Sequence, residues 1–475
     1  MEQYVSFVNL KKEKGNMMTN TIPVEKNKDY RVKIEDLSRD GVGVCKVENF
    51  TIFVADSAIG DVCDIKILKV KKNYAFGKII KIIEPSKDRV EPICEFSKRC
   101  GGCQLQHLSY QSQLEFKTKK VKECLERLGG FQNVDVLPTI GAKSVLNYRN
   151  KCQFPVGMGK DGDLNIGFYS ARSHNIVDVE GCHIQHPIND KIIQIIRGFL
   201  SENNISIYNE ESGKGLIRHI ITRIGFITGE IMVCIVINGD KLPLWDKLVD
   251  KLKDIEGMTS IVININKKKT NVIMGEKVKT LWGKDYITDY IGDIKFEISP
   301  LSFYQVNPEQ TEVLYKKAIE FAQLNENDTV FDIYCGIGTI SLFIAKKVKS
   351  VIGVEIVPEA IEDAKHNAEI NGIKNAEFIA GPAEVVIPEI YEKGKRANVV
   401  VVDPPRKGCD IKVIDTIINM NPERIVYVSC DPASLARDVK ILCENGFEIG
   451  KVQPVDQFIM SEHVETVVLI QRKDT

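Results

Sequence analysis

The chain has 475 residues, 43% hydrophobic and 27% charged, which suits a soluble globular protein with length for about three domains of ~150 residues each. No apolar run reaches the ~18 residues of a membrane-spanning helix, and the N-terminus lacks the apolar core and cleavage site of a signal peptide. The expectation is a cytoplasmic protein with no membrane partner. A formal net charge of −1 does not speak against nucleic acid, because phosphate binding depends on where Lys and Arg cluster. In a reducing compartment the 13 cysteines read as thiols, metal ligands or catalytic groups rather than disulfides.

Residues 1–23, with KKEKG, Met17 and Met18, read as a disordered polar tail outside any fold. Residues 24–85 hold five short β-branched runs, RVKIEDL, GVGVCKV, FTIFVAD, DVCDIKILKV and AFGKIIKII, each bounded by Gly, Asp or Asn. That pattern predicts a small OB-like β-barrel. Six lysines and no acidic residue lie between Lys66 and Lys81, with Tyr74 and Phe76 interleaved. They fit a solvated edge hairpin as well as a nucleic-acid-binding face.

Residues 86–300 predict a β-rich α+β domain. Within it Ser109 caps a helix with Tyr110, Leu114, Val121, Leu125 and Leu128 on one face, ended by Gly129-Gly130. This helix, residues 109–130, has the option of packing on the C-terminal domain. Further helices are expected at about Pro187–Glu202 and Pro243–Ile255. From residue 301, and clearly from Asn307, strand and helix alternate as in a doubly wound parallel sheet. The fold class is therefore multi-domain α/β, with a Rossmann-like C-terminal domain over residues 301–475.

TVFDIYCGIGTISLFIA (Thr329–Ala345) is an apolar strand, a glycine turn and a helix. Gly336 and Gly338 permit a sharp turn and close approach to a ligand. Ser341 stands where a dinucleotide fingerprint has its third glycine. Asp332 before the glycines suits instead the amino and carboxylate end of S-adenosylmethionine, and Glu355, ending SVIGVE, suits a ribose hydroxyl pair. A lone G-x-G is as often a plain strand–helix turn; the flanking acids favour cofactor binding and a class I methyltransferase domain. NVVVVDPPRKG then delivers Asp403 to the carboxyl end of the fourth strand, held by two prolines.

RIVYVSCDP delivers Cys430 to the end of the next strand, beside the expected cofactor. Most cysteines in apolar strands are small core residues, but Ser429, Asp431 and Pro432 place this one at the rim. A thiol has a pKa of about 8.5, so the site must favour the thiolate, and Arg406 is a candidate for that. A thiolate here suits carbon-5 methylation of a pyrimidine. Addition at carbon 6 makes carbon 5 nucleophilic, and a base later removes the carbon-5 proton. Glu465 in SEHVETVVLI is placed for that base, although a strand glutamate is ordinarily a solvated face residue.

DIYCGIGT, DPPRKG, SCDPASLARD and HVETV, in this order, resemble the RNA (uracil-5)-methyltransferase family. The branch acting on 23S ribosomal RNA is the nearest likeness, and the N-terminal barrel resembles its TRAM domain, an RNA-binding OB-like module. YRNKCQFPV and GFYSARSHNIVD resemble its central domain. The resemblance implies Cys430 as nucleophile, Glu465 as base, and cofactor contacts at Gln305, Tyr334, Glu355 and Asp403. It implies RNA, specifically 23S rRNA, as the partner, with transfer RNA uridine as the alternative and a monomer as the expected state.

Cys94, Cys100 and Cys103 form C-x5-C-x2-C, and Cys182 supplies a fourth thiolate. Four thiolates suit zinc or an iron–sulfur cluster, and spacing does not choose. The resemblance implies a 4Fe-4S cluster with a structural or RNA-positioning role. Arg149, Lys151, Arg172 and the barrel lysines could hold the refolded RNA strand, or be plain surface charges. Two rivals remain at this point: an exocyclic-amine methyltransferase, which would need no cysteine, and a non-catalytic RNA-binding protein with a relic methyltransferase fold.

Overall fold

A computed structural model describes residues 22–473. The tail assigned to residues 1–23 thus lies outside the described residues, apart from its last two. The chain divides into two compact units, residues 22–38 with 42–87 and residues 39–41 with 88–473.

The first unit is a six-stranded sheet rolled around an apolar core. Its strands are β1 (Asp29–Lys33), β2 (Asp36–Leu37), β3 (Gly43–Val47), β4 (Phe50–Val54), β5 (Val62–Val70) and β6 (Tyr74–Glu84), in the order β1-β5-β6-β4-β3-β2. Alternation sends Cys45, Ile52, Val54, Cys63, Ile65 and Ile67 inward. Five runs were expected and six strands form, because RVKIEDL breaks after Lys33. There Ile34 turns into the core and its N–H donates to Asp61 O (2.9 Å), so the last two residues pair separately with β3. On the outer face Phe53, Tyr74 and Phe76 form a ring cluster, Tyr74 meeting Phe53 at 5.6 Å and Phe76 at 5.5 Å between centroids.

The second unit opens with α1 (Tyr110–Cys124), capped by Ser109, whose hydroxyl accepts from Ser112 N at 3.3 Å. A wider turn continues it over Leu125–Gly129 and stops at Gly130, φ +77°. The expected apolar face is only partly the buried one. Val121 and Leu125 are buried, but Leu128 is exposed, while Gln113, Lys117 and Lys120 are buried. A central seven-stranded sheet follows: β7 (Lys151–Met158), β8 (Leu164–Tyr169), β9 (Ile176–Asp178), β10 (Ile217–Ile224), β11 (Ile231–Ile237), β12 (Met258–Ile265) and β13 (Lys277–Gly283). Helices α2 (Ile188–Glu202) and α3 (Trp245–Leu252) share its core. A hairpin, β14 (Ile287–Ile291) and β15 (Ile294–Ile298), leads to α4 (Pro308–Ala322), which Asn307 caps through Gln310 N.

The C-terminal sheet contains β16 (Thr329–Ile333), β17 (Ser350–Glu355), β18 (Ala376–Ala380), β19 (Val399–Val402), β20 (Arg424–Ser429), β21 (Phe447–Val455) and β22 (Glu465–Arg472). Their order is β18-β17-β16-β19-β20-β22-β21, with β22 antiparallel to both neighbours. Helices α5 (Thr339–Ala345), α6 (Pro358–Ile370), α7 (Ala383–Glu392), α8 (Ile411–Met420) and α9 (Pro432–Glu444) complete it. VVVV in β19 is buried on both sides, as a parallel sheet covered on two faces requires. One face is closed by α4, α5 and α6 and the other by α7, α8, α9 and α1. The strand order reverses between β16 and β19, and ligands of open α/β sheets bind at such a switch point, outside the carboxyl ends of the strands.

Candidate active site

A cavity of about 860 Å³ opens at that switch point. Gln305, Asp332, Tyr334, Gly336, Glu355, Asp403, Cys430 and Glu465 all line it. Gly338, expected among the cofactor contacts, does not stand among the lining residues. Its φ of +80° starts α5, and an added Cβ would sit 3.1 Å from the Phe378 ring, so packing and turn geometry explain the glycine. Gly336, φ +56°, has open space where a Cβ would project, which is the close approach a bound ligand uses. Tyr334, two residues before Gly336, holds φ +72°, an uncommon conformation for a non-glycine, fixed by its N–H donating to Val354 O at 2.9 Å.

Four carboxylates form the polar wall. Asp332 is fully buried, and burial pushes its pKa up to about 6. One oxygen accepts from the Ser341 hydroxyl; the other has no partner, leaving an acceptor for a ligand N–H. Ser341, which occupies the third-glycine position, is thus the residue that orients Asp332, a role its sequence position did not reveal. Glu355 is held by two backbone donors, Gly336 N (3.2 Å) and Val357 N (3.1 Å). Asp403 is raised to about 7 by burial and then by the charge of Asp332. Glu465 is raised to about 8 by burial and then by Asp403, while Arg406 draws it down.

The ladder between β20 and β22 pairs Ser429 with Thr466. One residue further, Cys430 leaves the end of β20 while Glu465 opens β22, and the charge of Glu465 acts on the Cys430 thiol, so the two are near neighbours in the crevice. Burial lifts the Cys430 thiol to about 12, the charges of Glu465 and Asp403 add to this, and Arg406 opposes them. Arg406 also lines the cavity, so the guanidinium considered for thiolate stabilisation does stand in the same crevice.

Two contributors come from outside the C-terminal sheet. Asn150 Nδ2 donates to Gln305 O (2.9 Å) and Asn150 N to Val306 O (2.8 Å), fixing the segment that carries Gln305. Met274, Gly275 and Glu276 of the β12–β13 connection also line the cavity. That connection is tied down by Asn264 and Asn266 side chains and by buried Arg218, which donates to Asn266 O (2.9 Å) and Lys268 O (2.8 Å). Arg149, Lys151 and Arg172 do not line the cavity.

Cys94, Cys100, Cys103 and Cys182 are all free thiols of intermediate exposure. Charges on Cys100 and Cys94 raise the Cys103 thiol, and those on Cys103 and Cys100 raise Cys182, after burial in each case, so the four are near neighbours. Gly102 N donates to Cys100 Sγ at 3.4 Å. Among the described residues no three His, Cys, Asp or Glu side chains form a group able to hold a metal ion. No described helix is long and apolar enough to cross a membrane.

The sheet order, the glycine turn and the acid-lined crevice define an S-adenosylmethionine-dependent methyltransferase domain. The profile of the family described as tRNA (Uracil-5-)-methyltransferase matches residues 109–473, and that of the TRAM domain matches residues 23–80. The chain belongs to the tRNA (uracil-5-)-methyltransferase family. It is 53% identical over 454 residues to a Clostridium tetani protein named "Uncharacterized RNA methyltransferase", covering 95% of this chain and 98% of that one. A protein of the same description from Clostridium acetobutylicum is 52% identical over 460 residues, covering 96% of this chain and 100% of that one. Among solved structures, the Pyrococcus abyssi tRNA (uracil-54, C5)-methyltransferase in complex with S-adenosyl-L-homocysteine is similar, with TM-score 0.74 and 32% identity. It covers 93% of this chain and 99% of that one.

The raised carboxyls predict a pH dependence. Unfolded Asp and Glu ionise near ~4, whereas folded Asp403 and Glu465 hold protons to about 7 and 8. Between those limits the folded state binds more protons, so stability falls as pH rises. Thermal melts of ligand-free protein from pH 5 to pH 8 should show that decline, and a Glu465→Gln protein should show a shallower one.

Proposed function

We propose that this protein methylates carbon 5 of a uridine in 23S rRNA in the cytoplasm, through a covalent bond between Cys430 and the uracil ring. The observation that carries the reading is that Cys430, just past the end of β20, and Glu465, at the start of the neighbouring β22, line one crevice with the residues expected to bind the methyl donor. Asp332, Glu355, Gln305 and Tyr334 would bind S-adenosylmethionine, which supplies the methyl group. The Cys430 thiolate adds to carbon 6, forming a sulfur–carbon bond and moving the ring electrons toward oxygen 4 as an enolate. Arg406 favours the thiolate. Carbon 5 then takes the methyl group as its bond to the donor sulfur breaks, the bonding electrons staying on sulfur and leaving S-adenosylhomocysteine. Glu465 removes the carbon-5 proton, the ring double bond re-forms and the thiolate departs. A carboxyl pKa near 8 makes a stronger base than an exposed glutamate, suited to the weakly acidic carbon-5 proton beside the carbon-4 carbonyl. The buried crevice admits a base only if it is swung out of its helix.

The ribosomal assignment is supported by the barrel together with the four-cysteine set, which resemble the ribosomal-RNA branch. A transfer RNA uridine is the second reading, favoured by the likeness to the Pyrococcus abyssi enzyme over 93% of this chain. We further propose that Cys94, Cys100, Cys103 and Cys182 hold a 4Fe-4S cluster. The mutual influence of the four thiols supports a shared site, and four thiolates suit such a cluster.

Three measurements check these readings. A Glu465→Gln protein should accumulate a denaturation-stable adduct with methylated RNA, because addition and methyl transfer proceed while elimination stalls; free turnover by that variant would sink the base assignment. Loss of one 5-methyluridine from 23S rRNA is expected in a strain lacking this protein, and loss from transfer RNA instead would select the second reading. Anaerobically purified protein should contain about four iron atoms per chain, and iron-free, colourless protein would remove the cluster.

A further inference from the structure

The segment 456–464, which delivers Glu465 to the crevice, is gripped from one side by α1. Lys117 and Asp456 form an ion pair of 2.5 Å with both side chains 0% exposed. The same ammonium donates to Phe458 O at 2.9 Å. One turn along α1, Lys120 donates to Glu462 twice, to its carboxylate at 2.6 Å and to its carbonyl at 2.7 Å. Gln113, one turn earlier, accepts from Met460 N at 3.1 Å through its side-chain oxygen. Leu105 N donates to Met460 O at 2.9 Å and the Tyr148 hydroxyl to Ile459 O at 3.1 Å. Met460 is thereby pinned on both sides of its peptide in a left-handed conformation, φ +66°, that a non-glycine avoids unless its surroundings impose it.

Isolating two charges from water costs several kcal/mol per ion, and a pair of apolar side chains in their place is often as stable or more so. Stability alone therefore does not account for a buried Lys117–Asp456 pair. What the pair provides is direction, because three donors on an ammonium and two carboxylate oxygens accept partners only in defined places. The segment they hold contributes Phe458, His463 and Glu465 to the crevice wall. Loops gain catalytic geometry when side chains outside the site lock them, and a shift of about 1 Å can cost ~100-fold in rate.

We infer that Lys117 and Lys120 of α1 are positioning residues that hold the 456–464 segment, and through it Glu465, in register with Cys430. Neither touches the reacting atoms. The inference rests on the reading of Glu465 as the base that resolves the adduct. Loosening the clamp should therefore slow the late step, proton removal and thiolate departure, more than cofactor binding or the first addition.

The experiment compares the lifetime of the denaturation-stable adduct in single turnover with the affinity for S-adenosylhomocysteine. Lys120→Met should lengthen adduct lifetime by ~10- to 100-fold with S-adenosylhomocysteine affinity within about twofold of wild type, and Lys120→Arg should restore the lifetime. Removing one member of the fully buried pair invites misfolding, so Lys117→Met is made together with Asp456→Leu, and this double variant should fold and show the same slow release. Glu465→Gln is run alongside. If it traps adduct while Lys120→Met and the double variant release RNA at the wild-type rate, the clamp is overturned and the base reading stands. If Glu465→Gln itself turns over freely, the base reading falls and the clamp with it. Loss of cofactor affinity in step with loss of turnover would mark Lys117 and Lys120 as merely structural and would also overturn the inference.

Discussion

The register between β20 and β22 decides what this crevice can do. Ser429 faces Thr466 across an antiparallel ladder, and the side chains one step further out are Cys430 and Glu465. Strand side chains alternate with period two, so a slip of one residue would turn one of the two into the sheet and leave the other facing an apolar neighbour. The register is held by the apolar residues behind it: Tyr427, Val428, Val467, Val468 and Ile470 are buried on both faces and have no alternative seat. Antiparallel β22, inserted between β20 and β21, brings the start of one strand to the end of another. A wholly parallel sheet would have carried Glu465 to the opposite edge.

The parts of this arrangement that were legible beforehand are those written in short stretches. Asp332, the glycine turn, Glu355 and Asp403 follow apolar runs at strand ends, and a strand end in an alternating α/β pattern already fixes where a side chain goes. Cys430 is legible for the same reason. The central β-rich layer and the helices near residues 188 and 245 followed from periodicity. Gly338 carries two readings, because a glycine in a turn serves backbone conformation and ligand approach alike, and the Phe378 ring beside it accounts for the first. The sixth barrel strand was missed because two residues are too few to show alternation.

What stayed hidden depends on residues far apart in the chain. Lys117 and Asp456 are separated by 339 positions, and on a helical wheel a lysine reads as solvated surface. The same holds for Asn150 beneath Gln305 and for Arg218 with Asn264 and Asn266 beneath the β12–β13 connection. Each of these side chains is polar and buried, Lys117, Asn150, Arg218, Asn264 and Asn266 donate to backbone carbonyls, and each fixes a connection that supplies cavity wall. Pattern-based reasoning assigns polar side chains to the outside, so it is blind to this class of residue, although the residues are what turn a generic fold into a shaped crevice.

The acid-rich lining has a further consequence. Glu276, Asp332, Glu355, Glu359, Asp363, Glu384, Asp403, Asp410 and Glu465 face the cavity, against Arg406 and Lys407. Although burial keeps protons on Asp403 and Glu465 to about 7 and 8, the excess of acidic over basic side chains still makes a wall that attracts a sulfonium and repels phosphate. An RNA backbone is thereby kept at the rim while a neutral base can descend. Once the methyl group has left, the donor has become an uncharged thioether, and the attraction that brought it in weakens. An acidic lining therefore favours the charged donor over the uncharged thioether it becomes.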